Sequence, residues 1–194
     1  MNHMATSDPL ALHRVQLADV APQPWRNGGG ITRELLAWPQ GDAWQLRATV
    51  ASIERSGAFS AFPNVQRWFA VLQGAGVTLH LPGGAVTLRP GDAAVHFDGA
   101  AAPHCELVEG ATLDLNLMVR DDAGSATLRA ASPGDTLAHA TRWRGLFCTE
   151  AATLAVDGVH HRACAGELLW SDSGNPASTW RVVAAARAWW LDLR

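Results

Sequence analysis

Val77-Thr-Leu-His-Leu-Pro-Gly83 lies over Ala152-Thr-Leu-Ala-Val-Asp-Gly158 at an offset of 75 positions, with no gap. The same register matches Gly91 with Gly166, Asp92 with Glu167 and Gly99 with Gly174. In both copies a short hairpin leads into a Gly-acidic turn and then an apolar run, the order expected where a chain re-enters a sheet. Two such copies in 194 residues point to duplication of one β unit. They divide the chain into an amino-terminal half, residues 1–120, and a carboxy-terminal half, residues 121–194. The segment from Asp121 to Asp135, where Asp, Gly, Ser and Pro gather, is the expected linker.

Turn residues recur every eight to twelve positions, and the runs between them have strand length. Trp44–Ala51, Trp68–Leu72, Val77–Leu81, Val86–Leu88 and Thr112–Val119 all read as strands, which favours a sandwich or barrel over an α/β layout. Along the last of these, Leu113, Leu115, Leu117 and Val119 alternate with Asp114, Asn116, Met118 and Arg120. One face is therefore aliphatic and the other largely polar. Ala184–Trp190 has helical composition, but its place at the end of the second half favours a closing strand.

Lys plus Arg number 15 and Asp plus Glu 18, a formal net charge of −3 with no basic cluster, so nucleic acid is not an expected partner. Met1–Leu10 lacks the basic and apolar regions of a signal peptide, and no apolar run is long enough for a spanning helix. Three cysteines without framework spacing read as reduced thiols, so a cytoplasmic protein with no membrane partner is expected. Nine tryptophans and no tyrosine place many indoles in a core or on a pocket wall.

The sharpest motif is Pro24-Trp-Arg-Asn-Gly-Gly-Gly-Ile-Thr-Arg-Glu34. Three successive glycines mark close backbone approach or positive φ. Two readings stand: a wide turn crossing a barrel mouth, or a loop whose bare amides approach a ligand. A nucleotide cradle does not fit, because no Gly-Lys-Ser/Thr and no helix pattern follow.

This motif resembles the signature of the HutD/Ves family, associated with bacterial histidine utilisation. The resemblance continues through Trp44-Gln-Leu-Arg47, Gly57-Ala-Phe-Ser-Ala-Phe-Pro63, Arg67, the hairpin from Gly74 to Leu79, and Asp114-Leu-Asn-Leu-Met118. It covers most of residues 20–120 in family order; the tail from Ser125 matches only as a generic second half. His96–His104 departs from the family's Phe-x-Gly-Asp pattern. The resemblance implies an all-β cupin-like double-stranded β-helix in two halves, a bicupin. It also carries a proposal that such proteins bind an intermediate of histidine breakdown, such as a formylated amino acid.

A cupin metal site uses His-x-His, then Glu, then a later His, with the Glu seven positions before a hairpin Gly. Seven positions before Gly74 stands Arg67, and the His pair would fall near Ser60 and Phe62 or Ala61 and Pro63. Only His104 could be the last ligand, and adjacent His160 and His161 should point to opposite faces. One imidazole and a guanidinium do not hold a divalent cation, so neither metal nor other cofactor is expected.

An Arg facing into a barrel needs a carboxylate partner or an anionic ligand. Arg33 and Arg67 have forks suited to a carboxylate, and Asn27, Gly29, Glu34, Ser60, Asp114 and Asn116 complete the candidate binding set. An internal Arg–Asp network is the alternative, and Trp25, Phe59 and Phe62 suit either core or pocket. The expected function is metal-free binding of a small carboxylic-acid metabolite, with a regulatory role in histidine utilisation. Two further readings are a regulator acting through a protein partner, and an isomerase or hydrolase using Glu34 or Asp114 as general base. No catalytic residue is assigned. Cupin halves often associate through their outer sheets, which makes a homodimer an expectation.

Overall fold

A computed structural model describes residues 12–137 and 141–194; the reading of Met1–Leu10 lies outside them. The described chain is all-β, with two single-turn 3-10 helices at Leu17–Asp19 and Gly99–Ala101. None of its helices is long and apolar enough to cross a membrane. In chain order the strands begin with β1 (His13–Gln16), β2 (Gln23–Pro24), β3 (Gly30–Trp38), β4 (Leu46–Ile53), β5 (Gly57–Ala58) and β6 (Val65–Gln73). Next come β7 (Val77–Leu81), β8 (Gly84–Leu88), β9 (Val95–Asp98), β10 (His104–Leu107) and β11 (Thr112–Arg120). The second half contributes β12 (Ala126–Ala131), β13 (Thr136–Leu137), β14 (Trp143–Cys148), β15 (Ala152–Val156), β16 (Val159–Ala163), β17 (Glu167–Ser171), β18 (Trp180–Ala185) and β19 (Ala188–Leu193).

The duplication is visible in the ladders. The order β4-β11-β6-β9 in the first half returns as β12-β19-β14-β17, and β5-β10-β7-β8 returns as β13-β18-β15-β16. The turn hydrogen bond repeats at the same offset: Arg89 N donates to Asp92 Oδ2, and Cys164 N to Glu167 Oε2, each at 2.8 Å. Strands β2 and β3 extend the first half's large sheet beyond β4, whereas β1 extends the second half's beyond β17. Pairing thus crosses the 1–120/121–194 division, because His13–Gln16 belongs by hydrogen bonding to the second half. Ala184–Trp190 is split between β18 and β19, so the strand reading holds there.

The alternation in β11 determines how the halves meet. Leu115, Leu117 and Val119 join Leu46, Ala48, Val50, Ala70 and Leu72 on one face of the large sheet. That face packs on Trp143, Phe147, Leu168, Trp189, Leu191 and Leu193 of the second half. Burial of each large side chain there contributes about 1.5–3 kcal/mol. The aliphatic stripe therefore forms the core between the halves, and the polar stripe of Asp114, Asn116 and Met118 turns into the first barrel. The second barrel is filled by its own cluster, including Leu146, Leu154, Trp180, Val182 and Trp190.

Candidate functional site

The first barrel holds a cavity of about 460 Å³. Alternate residues of β4 (Arg47, Thr49, Ala51 and Ile53), together with Arg67 and Phe69 of β6 and Asn116 and Met118 of β11, form its walls. Its mouth is framed by the loop that carries Trp25, Arg26 and Asn27 and by the segment that carries Phe59, Ser60 and Phe62.

The glycine run makes the first of these a tight loop. Gly28 has φ 64, and a Cβ on Gly30 would come within 2.2 Å of Ser52 O, so the loop lies hard against β4. The Gly29 amide donates to Asn27 Oδ1 at 2.9 Å and is therefore used within the loop. Trp25 Nε1 donates to Thr32 Oγ1 at 2.7 Å, fixing the indole over the cavity wall.

Arg67 dominates the electrostatics. It is 6% exposed, and burial lowers its pKa to about 10. Nη2 donates to Asn116 Oδ1 at 3.0 Å, while Nε and Nη1 have no hydrogen-bond partner. The guanidinium carbon lies 5.0 Å from the Phe59 ring, 5.2 Å from Phe97 and 5.7 Å from Phe62. Three aromatic faces and one neutral amide are thus set against a full positive charge.

The candidate residues fall into three groups. Asn27, Ser60, Arg67 and Asn116 line the cavity. Glu34 does not line it; Glu34 accepts from Arg47 Nε at 2.8 Å and lines a second hollow, between the halves, with Trp38, Trp44 and Trp170. Arg33 and Asp114 are elsewhere. Arg33 lies opposite Val50, whose side chain is in the core between the halves, so Arg33 shares the face turned away from the cavity, toward the second half. Asp114 is fully buried beside the cavity wall, opposite Ala51. Its Oδ2 accepts from Thr112 Oγ1 at 2.7 Å, and its Oδ1 has no partner. Burial raises its pKa to about 7, against the lowering effect of the Thr112 hydrogen bond. Neither Glu34 nor Asp114 presents an unengaged carboxylate to the cavity.

Arg47 is the main residue that the sequence reading left out of the site. It lines the cavity while Glu34 and the Trp44 ring, 5.3 Å away, hold it. The run Arg47, Thr49, Ala51, Ile53 at every second position of one strand is the signal that would have found it. Thr49 and Met118 follow by the same rule.

The inward-facing residues do not fit a cupin metal. Arg67, a cation, stands at the carboxylate position. On β10 it is Cys105 that points into the core, so His104 is exposed and lies across from His80 on the outer face. The described residues contain no group of three His, Cys, Asp or Glu placed to hold a metal ion. His160 and His161 lie on β16, away from the cavity. The large apolar side chains left exposed among the described residues are Val86, Val108 and Val159.

The HutD family description matches residues 17–190. The chain belongs to the HutD family. Protein Ves of Cronobacter sakazakii is 38% identical over 123 residues, covering 60% of this chain and 67% of that protein. A Pseudomonas putida protein described as an uncharacterized 21.2 kDa protein in the hutC 3' region is 40% identical over 112 residues, covering 56% of this chain and 57% of that protein. The structure of HutD from Pseudomonas fluorescens SBW25, obtained in a formate condition, superposes with a TM-score of 0.81 at 25% identity, covering 94% of this chain and 97% of that one. A deletion mutant of Bacillus subtilis oxalate decarboxylase shares the cupin fold with this HutD-family chain, with a TM-score of 0.61 at 10% identity, covering 93% of this chain and 76% of that one.

Proposed function

We propose that the first barrel is a metal-free binding site for a small metabolite bearing a carboxylate, and that its occupancy serves a regulatory role in histidine utilisation. The observation that carries this reading is Arg67: a buried guanidinium at a cavity wall, answered by one neutral oxygen and left with two unpartnered nitrogens. Such a charge is costly to bury unless an anion joins it. A carboxylate entering beside Asn116 would meet Arg67 Nη2 first. The Phe59 and Phe62 rings, which lie over the guanidinium together with Phe97, sit on the segment framing the mouth. Asn27 and Ser60 are placed to bind other polar groups of the same molecule. The relative described by its place in the hutC 3' region supports the histidine-utilisation part of this reading.

The test is a thermal-shift and calorimetric screen of the whole protein against histidine, urocanate, formimino- and formylglutamate, glutamate and formate. A ligand at 100 times its Kd should add about 2.7 kcal/mol of stability. A shift with a carboxylate that disappears in Arg67→Met supports the assignment. No shift with any carboxylate, or one that survives Arg67→Met, sinks it.

A further inference from the structure

The two barrels can be aligned rung by rung. The offset of 75 that joins Val77 to Ala152 extends back without a gap through Gln73 and Cys148 to Trp68 and Trp143, so Phe69 corresponds to Arg144. Following the ladders outward, Phe69 pairs with Asn116 and Asn116 with Thr49. In the second half Arg144 pairs with Asp192 and Asp192 with Thr127. Asn116 therefore occupies the place of Asp192, and Thr49 the place of Thr127.

In the second barrel that place holds a resident carboxylate. Asp192 is fully buried; Thr127 Oγ1 donates to its Oδ2, and Arg194 Nε to its Oδ1 at 3.2 Å. Together with the charge of Asp157, its negative charge also acts favourably on Arg144, which it pairs with across the rung. The first barrel has the same shape of side chain without the charge. Asn116 gives Arg67 an amide oxygen at 3.0 Å, and open cavity lies beside Asn116, Thr49 and Arg67.

We propose that Asn116 and Thr49 determine the cavity's selectivity for an external carboxylate. On this account the ligand supplies the negative charge that Asp192 supplies in the second barrel, and the Thr49 hydroxyl donates to it as Thr127 donates to Asp192. The inference rests on the carboxylate reading of the cavity and adds what keeps the site receptive. A resident Asp at 116 would neutralise Arg67 from within, and the ligand would then meet a like charge instead of an unanswered cation.

The full chain is titrated with sodium formate and with sodium glutamate, followed by thermal shift and by the NMR resonance of the Arg67 Nε–H. Asn116→Asp should weaken both carboxylates by about tenfold or more while the protein stays folded without ligand. Asn116→Ser, which adds no charge, should weaken them less than Asn116→Asp does. Thr49→Val should weaken binding several-fold, and Thr49→Ser should restore it. Equal affinity in Asn116→Asp and wild type overturns the inference, as does equal loss in Asn116→Asp and Asn116→Ser. If Asn116→Asp does not fold, the Thr49 pair decides: equal behaviour of Val and Ser overturns the inference. If wild type binds neither salt, the carboxylate reading falls and takes this inference with it. Binding lost in Arg67→Met but indifferent to residues 49 and 116 removes this inference alone.

Discussion

In the second barrel Trp190 fills the position that Asp114 holds in the first, since Trp190 pairs with Leu146 as Asp114 pairs with Val71. One copy is packed with indoles, and its buried Arg144 donates to the carbonyls of Ser178 at 2.8 Å and Asn175 at 3.2 Å. The other copy keeps a cavity, a guanidinium with unpartnered nitrogens and a carboxyl with an unpartnered oxygen. Duplication supplied two equal scaffolds; one became filler that carries stability, and the other was left polar and partly hollow. Both halves bury unpartnered polar atoms, the indole nitrogens of Trp180 and Trp190 among them, but those beside the first barrel's cavity belong to a guanidinium and a carboxyl, the groups costliest to bury alone.

The comparison is tested most severely at Trp190. Trp190→Ala should cost about 3–5 kcal/mol in chemical denaturation, because Trp190 is fully buried in the apolar cluster of the second barrel. A cost near zero would mean that the second barrel is not tightly packed.

Next in size is the pH response of Asp114. Its carboxyl binds a proton up to about pH 7 in the folded chain but only to about pH 4 when unfolded. Between those values the folded state holds the extra proton, so this group makes stability fall as pH rises from 4 to 7 and then level off. The full span is about 4 kcal/mol, and Asp114→Asn should remove that slope in denaturation curves taken across the window. An unchanged slope would show that Asp114 ionises normally.

The two buried arginines should then respond with opposite signs. Arg144→Met should cost about 3 kcal/mol, because it strips partners from Asp192 and from two carbonyls. Arg67→Met should be neutral or stabilising in the absence of ligand, because it removes a charge that nothing balances. Equal losses at both sites would erase the distinction between the barrels. Smallest is the repeated turn: Asp92→Ala should cost about 1 kcal/mol for its one hydrogen bond to the turn amide. Glu167→Ala should cost slightly more, because Glu167 also pairs with Arg14 at 3.0 Å. Both are read as shifts in Tm.

The duplicated all-β architecture was legible because hairpins, acidic turns and strand alternation are local features that recur at one spacing. Arg67 was legible for the same reason, as its distance from the Gly74 hairpin sets its place in the barrel. Arg47 could have been placed on the cavity wall by the same alternation, but its tie to Glu34 could not, because that depends on the β3–β4 register and the irregularity between Glu34 and Leu36. The same register explains Arg33: neighbours on a strand face opposite ways, and the side facing the cavity fell to Thr32. Asp114 shares the inward face with Asn116 but lies one rung deeper, a difference in depth that alternation alone does not report.

The pairing of His13–Gln16 with Glu167–Ser171 has a practical consequence for anyone handling the molecule. A dye attached at His13 will stand beside the indole-filled barrel and report on that half, although in sequence it is nearest the cavity-bearing one. Scissors applied at residue 121 would yield one fragment with a superfluous leading strand and another with the β17 edge bare, open to pairing with a neighbour.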